Sequence, residues 1–352
     1  MPEYGTSGIT AGGAPRPGAG LPGAAAGDDD GSGAVIDVHH HFCAPAWRAW
    51  AEEQGLVHPK ALPPWSRWDA REALALMDRA GIATAVLKPM LPARYTSSAQ
   101  LREAVTVTLA AAVEVCEAHP GRFFFHAPLF LDDLEVSSWT LRRGLDELGA
   151  VGVNLTANYG GVYLGDPSYD GIFAELDERS AVVDTHPHNL PGGPPGAGPG
   201  GATVPGVPNF LCDFLLDTTR AAANMIRNRT LDRFPNLSVI LPHGGGFLPH
   251  IATRLEAFAH AFDPPVEPAA VRDHLRRFYY DTAGPLSPAG TLLATAAPDR
   301  ILFGSDWPAC PAPMVTDVAL PALAADPAFT PQLRRAVNRE NALRLMPRLV
   351  PA

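Results

Sequence analysis

Val35-Ile36-Asp37-Val38-His39-His40-His41-Phe42 begins as an apolar strand and ends in three consecutive imidazoles. A β-strand sends successive side chains to opposite faces, so His39 and His41 leave on one side, ~7 Å apart along the chain, and His40 on the other. Two imidazoles placed in this way can converge on one metal ion, and neutral imidazole nitrogen suits Zn²⁺ well.

Outward from this strand, short apolar runs alternate with longer amphipathic stretches, the signature of repeated strand–helix units. Further strands are expected at 84–88, 123–129, 151–156, 181–185, 237–242, 278–282 and 301–304. With the first they make eight, the number a closed (β/α)8 TIM barrel requires. Helices are expected at 70–80, 98–118, 137–148, 169–178, 217–233, 247–262 and 268–277, with 317–325 and 331–348 closing the outside. Gly81 and Pro120-Gly121 stand where helices should stop. The barrel is assigned to residues 34–352. Residues 1–33, mostly Gly, Ala and Pro around Asp28-Asp29-Asp30, carry too little apolar surface to offset the entropy of ordering and are expected to form a disordered leader.

Two stretches exceed a minimal barrel: 44–68, rich in Pro and Trp, and 187–208, rich in Gly and Pro. Both follow the C-terminal ends of strands, where barrel enzymes place their sites, and are expected to wall the pocket. Three more chemically competent residues fall at the ends of apolar strands: His186 in Val182-Val183-Asp184-Thr185-His186-Pro187, His243 in Ile240-Leu241-Pro242-His243-Gly244-Gly245-Gly246, and Asp306 in Phe303-Gly304-Ser305-Asp306-Trp307-Pro308. A solitary histidine at a strand end is usually a satisfied rim residue; five such groups on one rim point to a site. His58, His119, His126, His250, His260 and His274 fit the ordinary reading. His188 stands two residues beyond His186, past a proline, and is kept as a substrate-side candidate. Phe42, Trp47, Phe210 and Trp307 are candidate apolar walls, Trp307 first because it follows Asp306 directly.

These motifs, with the helix Leu74-Ala75-Leu76-Met77-Asp78-Arg79-Ala80-Gly81-Ile82, resemble the amidohydrolase-related metal-dependent decarboxylases. That group contains aminocarboxymuconate semialdehyde, γ-resorcylate and 6-methylsalicylate decarboxylases, and the resemblance runs from Val35 to about Arg348. It implies that His39, His41, His186 and Asp306 bind one divalent metal, Zn²⁺ or Mn²⁺, and that His243 is the acid–base residue beside it. Such a ligand set has net charge +1 with Zn²⁺ and leaves a position open, as a catalytic centre requires. The relatives bind substrate carboxylates with arginine; Arg67, Arg94 and Arg220 are the candidates here, none securely matched. The resemblance also implies a homodimer.

The expected reaction is non-oxidative decarboxylation of a small aromatic, salicylate-type or unsaturated acid, with the proton delivered by His243 or Asp306. The same centre can instead hydrolyse an ester, lactone or amide, or hydrate a double bond. A net charge of −10 argues against nucleic acid or an anionic membrane as partner. No apolar run reaches the ~20 residues of a membrane span. Cys43, Cys116, Cys212 and Cys310 lie far apart without a CxxC pair, which fits reduced thiols in the cytoplasm.

Overall fold

The computed structural model describes residues 34–58, 60–191, 204, 206–284 and 289–349. The expected leader lies outside the described residues, as does most of the 187–208 stretch. Ten strands are present among them: β1 (Val35–Phe42), β2 (Ile82–Pro89), β3 (Phe123–Pro128), β4 (Gly152–Thr156), β5 (Asn158–Tyr159), β6 (Val162–Tyr163), β7 (Val182–His186), β8 (Ser238–Leu241), β9 (Tyr279–Asp281) and β10 (Ile301–Leu302). Eight form one parallel sheet in the order β1-β2-β3-β4-β7-β8-β9-β10, and β5 pairs antiparallel with β6. Backbone bonds from Val38 N to the Phe303 carbonyl (3.0 Å) and from Asp306 N to the His39 carbonyl (2.9 Å) close the sheet into a barrel.

Alternation along the strands builds two cores. Ile36, Val38, Val86, Val182, Ile240 and Leu302 form one buried cluster, with Phe124 packed against it. Side chains from opposite sides of a barrel meet only across its interior, so this cluster is an inner layer. Ala342, Met346 and Leu349, near the end of the chain, join it. The intervening residues Leu87, Phe125, Val183, Val239 and Phe303 pack instead with Leu76, Leu101, Leu109 and Ile226 of the outer helices. Each such aliphatic side chain contributes ~1.5–3 kcal/mol on burial.

The first strand departs from simple alternation. Asp37 pairs with Ala85 but His40 with Leu87, so three residues of β1 advance against two of β2. This irregularity shifts the facing of the side chains. Ile36 and Val38 face the interior below it and His39 and His41 above it, while Asp37 falls on the side of His40, its Oδ2 3.0 Å from His40 Nδ1.

Three local readings are corrected. The 44–68 stretch contains a helix, Pro45–Glu53, which starts on proline and buries Trp47 and Ala51; nine residues are too few for a clear periodic signal. The β5–β6 hairpin, turning through Gly160-Gly161, was not foreseen. The helix expected at 217–233 begins earlier and spans Asp213–Arg227; a separate turn, Thr230–Arg233, follows after Arg229 takes φ +52°.

Candidate metal centre

Five side chains converge at the C-terminal mouth of the barrel. His39 Nε2 lies 3.3 Å from His41 Nε2, and Asp306 Oδ1 lies 2.9 Å from His41 Nε2 and 3.4 Å from His39 Nε2. The His186 ring centroid is 4.8 Å from that of His41 and 5.6 Å from that of His39. One ligating atom from each of His39, His186, His243 and Asp306 falls within 4.8 Å of the others. His243 Nε2 stands 3.8 Å from Asp306 Oδ2.

The second nitrogens decide what these rings can do. His39 Nδ1 lies 2.7 Å from Asp281 Oδ2, and His186 Nδ1 lies 2.7 Å from the Pro187 carbonyl. Each acceptor calls for a proton on Nδ1, which leaves Nε2 of both rings as a bare lone pair aimed at the cluster. Lone pairs and a carboxylate packed this closely repel one another unless a cation stands among them, so the donor set fits one divalent ion.

The electrostatics agree. Burial, then the Lys88 ammonium, hold His39 well below the usual imidazole range; burial, then His41, do the same for His186. Both rings are neutral and ready to ligate. Burial alone would raise the Asp306 carboxyl, but contacts from His243 and His41 hold it well below the usual carboxylate range. Burial pushes the Asp281 carboxyl up, against the pull of Lys88.

Backbone conformation aims the last two groups. His243 has φ +53° and Asp306 φ +61°, a region that costs a non-glycine residue ~1–3 kcal/mol and persists only where surroundings enforce it. Asp281 Oδ1 accepts from His243 N at 2.8 Å, fixing the first turn. Ser305 fixes the second: its N and Oγ both donate to Asp37, at 2.9 and 2.6 Å, clamping the segment that carries Asp306 to β1. Gly246 lets the His243 turn pass the Asp213–Arg227 helix; a Cβ there would stand 2.1 Å from the Leu215 carbonyl oxygen.

Several expected substrate-side residues are not brought to this cluster. Phe42 is fully buried against Trp68, ring centroids 4.8 Å apart, because it shares the facing of His40 rather than of His41. Trp307 is buried with its ring 4.9 Å from that of His40. The left-handed turn at Asp306 points the carboxylate inward and leaves the next side chain on the outer side. Arg67 and Arg94 are exposed on the loops after β1 and β2, and neither bonds to the cluster. Arg220 faces an outer groove with Tyr163, Asp166, Asn224, Arg227 and Phe262. His188 is exposed, held by its backbone N–H to Asp217 Oδ2 at 2.8 Å. Trp47 lies in the core, its indole N–H donating to Tyr95 at 3.0 Å, and Phe210 is exposed.

The structure also supplies residues that the sequence reading passed over. Trp65 packs near His41, ring centroids 5.8 Å apart, and Phe214 near His186 at 6.2 Å. A Cβ on Gly284 would lie 3.9 Å from both Asp306 Oδ2 and His243 Cδ2, so this glycine borders the reacting groups. Beneath the histidines lies a buried polar layer of Lys88, His126, Asp184 and Asp281. Period-two spacing from Val86, Phe124, Val182 and Tyr279 was the available signal, since a charged residue on an inward strand position is rarely incidental. A second histidine–carboxylate group, Asp232, Asp273 and His274, lies on the outer helices. There Arg229 and Arg277 already pair with the carboxylates.

The Amidohydrolase family model matches residues 36–348, and the chain belongs to that family. Among its relatives, the 6-methylsalicylic acid decarboxylase of Aspergillus aculeatus is 30% identical, over 89% of this chain and 96% of its own. The γ-resorcylate decarboxylase of a Rhizobium species is 30% identical over 67% of this chain and 75% of its own. A solved structure of an amidohydrolase II superposes with a TM-score of 0.78 at 26% identity, covering 89% of this chain and all of the other.

Proposed function

We propose that this protein is a metal-dependent, non-oxidative carboxy-lyase acting on a small aromatic acid of the salicylate type. The observation that carries the reading is the approach of His41 to His39, His186 and Asp306, with two Nε2 lone pairs fixed by partners on Nδ1, beside a fifth group, His243, that also stands within ligating reach and is suited to acid–base work. The relatives named above, decarboxylases of 6-methylsalicylate and γ-resorcylate, support the reaction and the substrate class.

The four ligand residues would hold one divalent ion, Zn²⁺ or Mn²⁺, whose Lewis acidity would fix the substrate carboxylate and an ortho hydroxyl. Among the described residues Arg67, Arg94 and Arg220 make no bond to the ligand residues, and the ion would itself offset the charge of the substrate carboxylate. Trp65 and Phe214 flank it with apolar surface for a flat ring. His243, beside Asp306, delivers a proton to the ring carbon that bears the carboxylate. The C–C bond then breaks, its electron pair restores the aromatic ring, and CO2 leaves. General acid catalysis of this kind contributes ~10²–10⁴-fold.

No described helix is long and apolar enough to cross a membrane, and the four cysteines are unpaired. Unpaired thiols suit a reducing compartment, and we place the enzyme in the cytoplasm. The resemblance to the decarboxylase group adds a homodimer, which light scattering reads directly.

The test is a metal determination paired with headspace CO2 detection on 6-methylsalicylate and 2,6-dihydroxybenzoate, for wild type and His243→Ala. One metal per chain in both proteins, with CO2 from the wild type and a loss of ~10²–10⁴-fold in the variant, is the expected result. Metal without CO2 from any such acid would replace this reading with hydrolysis or hydration.

A further inference from the structure

A fully buried lysine lies under the metal centre. Lys88 is 0% exposed; its Nζ forms an ion pair with Asp184 Oδ2 at 3.0 Å and donates to the Thr185 carbonyl at 3.2 Å. Its third side faces His39 Nδ1 at 3.3 Å. Asp184 in turn lies 3.3 Å from His126 Nδ1. Lysine extends from β2, whereas Asp184 and Thr185 belong to β7, and the sheet order places β3 and β4 between these strands. The side chain therefore spans the barrel interior rather than bridging neighbours.

We propose that Lys88 is a positioning residue of the metal centre, a strut that sets His186 on β7 against His39 on β1. The proposal rests on the metal-centre reading above. The Thr185 carbonyl belongs to the residue immediately before His186, so tethering it fixes the height at which the His186 ring enters the cluster. An ammonium has donors only, and His39 Nδ1 already faces Asp281; the 3.3 Å approach is thus a packing contact that limits tilt of the His39 ring.

Stability alone does not explain the pair. Burying two opposite charges costs about as much as their attraction returns, and a well-packed apolar pair often serves a fold equally well. What an apolar pair lacks is directional hold on a backbone carbonyl adjoining a ligand.

The test compares Lys88→Met with the double variant Lys88→Met/Asp184→Asn, each read by metal-free thermal melting and by chelator competition for Zn²⁺. The single variant leaves Asp184 buried and unpaired and should lose stability. The double variant keeps the net charge of the interior unchanged, and loss of the ammonium nearest His39 would by field alone favour a bound cation, so a weaker metal affinity reports geometry rather than field. Expected is a cooperative metal-free melt within ~5 °C of wild type together with Zn²⁺ affinity ~10–100-fold weaker.

A double variant that binds Zn²⁺ as tightly as wild type would reduce Lys88 to a neutraliser of Asp184 and overturn the strut alone. One that does not fold would show a need of the whole barrel and overturn the specific claim equally. A wild type that fails to bind Zn²⁺ would overturn both the strut and the metal-centre reading.

Discussion

Replacing Asp281 by asparagine changes no volume and tests the logic of the centre at one atom. Oδ2 accepts from His39 Nδ1 at 2.7 Å, while Oδ1 accepts from the backbone N–H of His243 at 2.8 Å and of Ala283 at 3.0 Å. A carboxylate meets all three donors; an amide has one acceptor oxygen. If the amide oxygen keeps the two backbone N–H groups, its NH2 faces His39 Nδ1 and calls for an acceptor there. The ring must then carry its proton on Nε2, where it cannot ligate. If the amide turns over, the NH2 opposes both backbone donors and the His243 turn is released. Either orientation weakens the centre, and loss of a partner of this kind costs ~10–100-fold in metal affinity, or ~1.4–2.8 kcal/mol. The assay is chelator competition alongside metal-free melting, and unchanged metal affinity in Asp281→Asn would refute the tautomer argument.

Three further predictions follow from the same geometry. His39 and His186 are held well below 6.5 in the fold, so on acidification the unfolded chain takes up protons that the folded chain refuses; metal-free stability should fall between pH ~7 and ~5, and a flat melting profile over that window would contradict the buried, neutral rings. Gly246→Ala places a Cβ 2.1 Å from the Leu215 carbonyl oxygen at φ +66°. The melting temperature should drop by more than ~5 °C and kcat should fall as the His243 turn moves; a variant matching wild type in both would show that the turn tolerates displacement. Trp65→Ala should raise KM for aromatic acids roughly tenfold with metal content unchanged, since a stacked aromatic contact is worth ~0.5–1.5 kcal/mol beyond its buried area; an unaltered KM would remove Trp65 from the pocket wall.

The eight barrel strands were legible because each is an apolar run bounded by turn residues, and β1 matches its expected bounds. The five convergent groups were legible for the same reason: each closes such a run. The walls were not. Phe42 and Trp307 adjoin the motifs in sequence, yet their facing is set by strand alternation and by the left-handed turn at Asp306. Trp65 and Phe214 reach the site from loop and helix segments whose course no local pattern specifies. Nor did residue type place Arg220 on the groove it shares with Tyr163, Asp166 and Asn224.

By itself, then, the sequence determined the barrel and the identity of the five rim groups, because hydrophobic periodicity and residue chemistry are local properties carried by a few adjacent positions. Tertiary structure alone decided which nitrogen of His39 and of His186 is free, how Asp37 and Ser305 aim Asp306, and that a lysine from β2 crosses to β7. Those facts depend on atoms brought together from strands far apart in the chain, at distances of about 3 Å. A hydrogen-bond partner at that range is a consequence of closing the barrel, and no stretch of sequence holds both of its ends.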